Sequence, residues 1–269
     1  MKSQMQFSNL LRLPLWVLAL AACWSGAAEA AGRIALLIGN VTYPGVFELQ
    51  NPARDARALA SRLKALDFDE ILVYENLAHG PMLEAIEQFI ERGRDKNVRV
   101  LFFSGHGGRL KGGDVNYLIP IDAISGEMRV DEVRKRMVSV GDLLSRLNHL
   151  DGGANIVMLD TCRNVGLRSP TWFGFSPVSV PQGSIVSFAT MYDSFSIDGL
   201  SHESAHSPYV EAVLKHISTV GLDVREMFRR VASDVKRATK NVQKPEYRDM
   251  LDGPLCLKAT RSSPCGARN

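Results

Sequence analysis

The sequence predicts an α/β fold, a mostly parallel sheet flanked by helices on both faces. Three observations predict it. Apolar runs of five to seven residues alternate with segments of helical periodicity along the chain. The first of these runs is apolar without interruption, as a strand covered on both faces is. The two long irregular stretches, 104–137 and 163–183, each begin where a strand ends. That is the edge of an open α/β sheet at which ligands bind, and loops of this length are often functional.

Taken in order, "RIALLI" (33–38) is the first strand. "NPARDARALASRLKAL" (51–66) is a helix with Ala56, Leu59, Ala60 and Leu63 on one face, Asn51 as its N-cap and Pro52 at its first position. "EILVY" (70–74) is a strand, "PMLEAIEQFIERGR" (81–94) an amphipathic helix with Leu83, Ile86, Phe89 and Ile90 inward, and "VRVLFF" (98–103) the third strand. "VSVGDLLSRLNHL" (138–150) is helical, followed by the strand "NIVMLD" (155–160). "SIVSFAT" (184–190) is a fifth strand, and two helices follow over 208–217 and 224–239. "GPLCLKA" (253–259) is an expected edge strand. There is no internal repeat.

The chain has 269 residues and a formal net charge of +3, with its basic residues scattered. Nucleic-acid binding is therefore not expected. The first 30 residues read as a targeting segment. Lys2 and Arg12 precede a short apolar run, "LPLWVLALAAC" (13–23). Two processing readings stand. "AEA" (28–30) offers cleavage after Ala30, and "LAAC" (20–23) resembles a lipobox that would lipidate Cys23. Both export the protein, to a periplasm or beyond, and no later segment is apolar enough to span a membrane. A catalytic domain over 33–259 and a tail over 260–269 are expected. Cys256 and Cys265 are close enough in sequence to pair in an oxidising space, which leaves Cys162 as the odd thiol.

The chemistry gathers at two strand ends. "FFSGHGG" (102–108) sets His106 between glycines directly after a strand, and "VMLDTCRN" (157–164) ends a strand in Cys162. If the strands are neighbours, imidazole and thiol share one rim. There the histidine takes the thiol proton and later protonates a leaving amine. Attack on a carbonyl creates an oxyanion, for which the Gly107 and Cys162 N–H groups are the candidate donors. The glycines are read as allowing a sharp bend after the strand. "GHGG" lacks the glycine spacing of a phosphate-cradling loop.

With "ALLIGN" (35–40), "FFSGHGG", "YLIPID" (117–122), "MLDTCRN" (158–164) and "SIVSFAT" in order, residues 33–240 resemble the bacterial caspase-like peptidases, relatives of metacaspases and caspases. The separation 162 − 106 = 56 fits the roughly fifty residues between caspase histidine and cysteine. The resemblance implies a caspase-like fold, cysteine endopeptidase activity, His106 as base and Cys162 as nucleophile. It also implies a specificity pocket like that of metacaspase-type relatives, with one aspartate two residues before the nucleophile (Asp160) and one in the first helix (Asp55). Two carboxylates there suit an Arg or Lys guest at P1, and so peptide substrates with basic residues. Ser187, with Phe188 and Ala189, is expected to line the cleft by strand addition, and Met191 and Tyr192 to shape it. Arg163 departs from the metacaspase pattern, which has histidine there. The acids Asp114, Asp122, Glu127, Asp131 and Glu132 match no calcium-loop spacing, and His202 with His206 lacks a third ligand. No metal or cofactor is predicted. The rival reading is a caspase-like binding or scaffold domain of the cell envelope with little turnover.

Overall fold

The computed structural model describes residues 32–44, 48–110, 112–123, 130–150, 152–162, 172–191, 196–201 and 204–265, with Cys162 described through its backbone. The expected leader with Cys23 lies outside the described residues, as do Arg163, Tyr192 and His202. The elements run β1 (Arg33–Gly39), α1 (Pro52–Lys64), β2 (Glu70–Glu75), α2 (His79–Arg92), β3 (Val98–Leu110), β4 (Asn116–Leu118), α3 (Val130–Lys135), β5 (Val138–Ser139), α4 (Val140–Asn148), β6 (Ala154–Cys162), β7 (Trp172–Phe173), β8 (Ser184–Phe188), α5 (Pro208–His216), α6 (Val224–Ala238) and β9 (Glu246–Asp249).

The main sheet has the order β2-β1-β3-β6-β8-β9. Its first five strands are parallel and β9 closes it antiparallel against β8. The two-residue period of the strands sorts their side chains onto two cores. Ala35, Leu37, Val100, Phe102, Ile156 and Met158 pack with Leu59 and Leu63 of α1, Val213 of α5 and Phe228 of α6. Leu36, Ile38, Leu101, Phe103, Val157 and Leu159 pack with Ile86 and Phe89 of α2 and Leu143 and Leu147 of α4. Each fully buried side chain of this size contributes about 1.5–3 kcal/mol. Burial on both faces is why the strands read as unbroken apolar runs. Among the described residues no helix is long and apolar enough to cross a membrane.

Three expectations are corrected. The third strand does not stop at residue 103. It continues to Leu110, pairing β6 as far as His106 and then β4 and β7 in a small second sheet. The stretch 104–137 is therefore partly ordered sheet. The edge strand is Glu246–Asp249 rather than 253–259; the latter segment instead meets the start of α6 through the Asp223–Cys256 bridge. Finally, residues 138–139 form β5, and α4 begins at Val140 with Ser139 as its N-cap. The Cys256–Cys265 pair is bonded, with Cα atoms 5.4 Å apart.

At the opposite edge of the sheet from the two motifs, Arg99 is a buried cation on β3. Its guanidinium donates to the carbonyls of Gly93 (2.6 Å), Gly152 (2.9 Å) and Arg94 (3.3 Å) and to Asn155 Oδ1 (3.2 Å). It thereby ties the C-terminus of α2 to the entry of β6. Arg99→Met is expected to destabilise the fold by about 2–4 kcal/mol in urea unfolding, because it strands several buried acceptors. Arg99→Lys is expected to recover little, since an ammonium cannot reproduce the fork.

Candidate active site

His106 and Cys162 are register partners on the adjacent parallel strands β3 and β6, as are Ser104 with Asp160 and Gly105 with Thr161. Neighbouring strands lie about 4.8 Å apart, so both residues stand at one rim of the sheet. His106 is 5% exposed, and its backbone is held in a closed circuit. The His106 N–H donates to the Tyr43 hydroxyl (3.0 Å), that hydroxyl donates to the Ile119 carbonyl (3.1 Å), and the Ile119 N–H donates back to the His106 carbonyl (3.0 Å). The Tyr43 ring also lies against the imidazole, centroid to centroid 4.5 Å. Asn40, at the end of β1, holds the same corner through the Leu77 amide (2.9 Å).

The glycines around His106 serve close approach, not a bend, since the strand runs through them. A Cβ on Gly105 would stand 2.6 Å from the Tyr43 hydroxyl and 2.9 Å from the Phe103 ring. One on Gly107 would stand 3.0 Å from the Phe175 ring and 3.0 Å from the Thr161 side chain. Gly107 lies beside His106, opposite Leu118 of β4.

Asp160 and Asp55 come together as expected, both buried. Asp160 follows Ile156 and Met158 on the face of the sheet that α1 and α5 cover. Asp55 is in the first turn of α1, and Ser207 is the N-cap of α5. Two helix N-termini thus meet over the end of β6, where they favour negative charge. Ser207 joins the acids: its hydroxyl donates to Asp160 Oδ2 (2.5 Å) and its N–H to Asp55 Oδ2 (3.3 Å). Ser196 donates to Asp160 Oδ1 (2.9 Å), and Gln243 Nε2 donates to Ser196 (3.2 Å). Burial first, then the Asp160 charge, pushes the Asp55 carboxyl up to about 9. Burial pushes Asp160 up to about 6 against the hydroxyl bonds that favour its charged form.

Sequence reasoning missed three residues here. Asp198 adds a third carboxylate, whose charge raises both Asp55 and Asp160, and it accepts from the N–H groups of Gln50 and Asn51 (3.1 Å for the latter). No spacing in "FSIDGLS" pointed to it. His206 Nδ1 lies 2.7 Å from Asp55 Oδ1. Tyr43 stands four residues after Gly39, where its role was invisible before the strands were placed. Leu49, Ser104, Gly105, Asp160, Asp198 and Ser207 are among the residues around a cavity of about 20 Å³.

Ser187 is not on this pocket. Its hydroxyl accepts from Tyr209 of α5 (2.7 Å) in the core, and its strand β8 is paired by β6 on one side and β9 on the other. Over the Ile185–Phe188 pairing no edge remains for an added strand, and Gln243 occupies the Ala189 carbonyl (2.9 Å). Met191 is exposed.

A peptidase family model described as "Caspase domain" matches residues 32–256. Two curated relatives share 24% identity: the mucosa-associated lymphoid tissue lymphoma translocation protein 1 homolog of Mus musculus, over 90% of this chain, and its Homo sapiens namesake, over 85%. The chain spans only 28% and 27% of their lengths. Among solved structures, caspase-1 from Spodoptera frugiperda superimposes with a TM-score of 0.60 at 17% identity, over 87% of this chain and 92% of that one.

Proposed function

The chain belongs to the caspase-domain family of cysteine peptidases, and on that premise we propose that it is an endopeptidase that cleaves after Arg or Lys using His106 and Cys162. The observation that carries this reading is the register pairing of the two residues at one sheet rim, two positions beyond a buried acidic cluster. In the proposed reaction the His106 imidazole takes the Cys162 thiol proton, and sulfur attacks the peptide carbonyl. The oxyanion is met by the Gly107 and Cys162 N–H groups. His106 then protonates the leaving amine. Water hydrolyses the thioester, regenerating the thiol and releasing the new carboxylate. Asp160, Asp55 and Asp198 receive the guanidinium or ammonium of the P1 side chain, desolvated and therefore strongly held. The leader over residues 1–30 and the Cys256–Cys265 bond support an exported protein.

The test is a panel of fluorogenic peptides differing only at P1. Cleavage of the Arg and Lys members, silent with Asp at P1 and lost in Cys162→Ala, is the expected result. Cleavage after Asp overturns the pocket assignment. No cleavage of any peptide, together with no selective labelling of Cys162 by an arginyl chloromethyl ketone, favours the scaffold reading.

Tyr43 is a positioning residue in this scheme. Tyr43→Phe keeps the ring against the imidazole and opens the hydrogen-bond circuit. The expected result is a fall in kcat of about tenfold with KM unchanged, the signature of a base held slightly out of line. A change in KM alone points to a structural role.

A further inference from the structure

The acidic cluster is closed in this structure. A cavity of about 20 Å³ has room for about one water, far less than an arginine side chain. The carboxylate oxygen that a basic guest needs is already taken, since the His206 ring bonds Asp55 Oδ1 at 2.7 Å. His206 stands in the loop that leads into α5, directly before Ser207, so one short segment covers both acids. The loop is seated on the start of α1, where Asp198 accepts from two backbone N–H groups.

We propose that His206 is an autoinhibitory lock on the specificity pocket: its imidazole holds Asp55 in the empty protein and is displaced when a basic side chain enters. The inference rests on the basic-P1 reading above. Guanidinium and imidazole compete for one carboxyl oxygen, which is protonated in the empty protein and must ionise to hold the guest, so the lock is a proton-sensitive selectivity device. The charged groups around it are Asp55 and Arg54 on α1, Asp160 on β6, Asp198 and Glu211 on α5. Burial, then the Arg54 charge, pulls the imidazole below its ordinary value against Glu211. Once protonated, below this lowered value, the ring is a cation beside the acids and repels a cationic guest. As pH rises the ring becomes neutral and releases Asp55 more readily. Exchange is balanced in charge, one cation entering as protons leave the imidazole–carboxyl pair.

The experiment measures binding without turnover. Cys162→Ala protein is titrated calorimetrically with an acetyl-capped peptide containing one arginine, from pH 5 to 8, alone and combined with His206→Ala or His206→Gln. His206→Ala is expected to bind about tenfold more tightly at neutral pH, the worth of one displaced hydrogen bond. As pH falls toward 5 the parent is expected to lose affinity more steeply than His206→Gln, by at most one proton. Should His206→Ala fail to fold, the slope of the Gln protein decides. Equal affinity and equal slope in parent and variants overturn the lock while leaving the pocket in place, provided that Asp160→Asn still abolishes binding. Undiminished binding in both Asp160→Asn and Asp55→Asn removes the pocket reading itself.

Discussion

Cys162→Ala is expected to lower turnover of arginyl peptides about ten-thousandfold, and His106→Ala to lower it as far, because nucleophile and base act as one unit. The double variant is expected to lose nothing more. That non-additivity is the useful readout, since two independent defects would multiply. The expectation follows from where the chain places the pair. Each residue is on its own parallel strand, and the strands are in register at His106 and Cys162. Cys162→Ser is expected to be nearly as inactive. A serine hydroxyl is a far poorer nucleophile than a thiolate and is not activated by the same base at neutral pH. Single-turnover kinetics with the Arg-P1 peptide check the prediction. Appreciable hydrolysis by purified Cys162→Ala would sink it.

Asp160→Asn is expected to lower kcat/KM for Arg-P1 peptides about a hundredfold or more, the scale of truncating one partner of a buried charge pair. The amide is nearly isosteric, so its oxygen can still accept from one of the two serine hydroxyls and its NH2 donate to the other while the charge is gone. Asp55→Asn is expected to act in the same direction. It also carries a stability signature with a definite sign. The folded carboxyl of Asp55 is raised to about 9, above the value of about 3.9 in an unfolded chain. Its contribution is therefore fully present below the unfolded value and is lost as pH rises toward 9. Asn has no such penalty. Asp55→Asn is expected to raise Tm relative to the parent, with a difference that grows from pH 5 to pH 9, while basic-P1 cleavage declines. A pocket that costs stability and confers selectivity is a common pattern at functional sites. Unchanged Tm at pH 9 with cleavage intact would remove Asp55 from the pocket.

The strand–helix alternation, both cores and the dyad strands were legible because period-2 and period-3.6 burial leave direct marks in residue order. The shared rim of His106 and Cys162 was legible in two strand-end motifs, and the nearness of Asp160 to Asp55 in the family resemblance. What was not legible depended on close approach between distant segments. The glycines at 105 and 107 were read as a bend, yet they make room for Tyr43 and Phe175, contacts no local pattern encodes. Ser187 was assigned to the cleft by likeness to relatives that pair an extended peptide with this strand. The strand covering it, Glu246–Asp249, is three charged residues and one tyrosine and has no apolar run to announce it. Asp198 and His206 sit in a polar segment whose composition is that of any surface loop. Only the placement of α1 and α5 shows that His206 bonds Asp55 and that the Asp198 charge is felt by both buried acids.

β3 passes through His106 without ending, with hydrogen-bonded neighbours beyond it, whereas β6 reaches its last residue at Cys162. The His106 backbone is therefore held by paired strand on both sides of it. Deuterium uptake at the His106 and Ile119 amides should be among the slowest in the molecule, close to global unfolding. In the proposed pair the imidazole is then the fixed anvil.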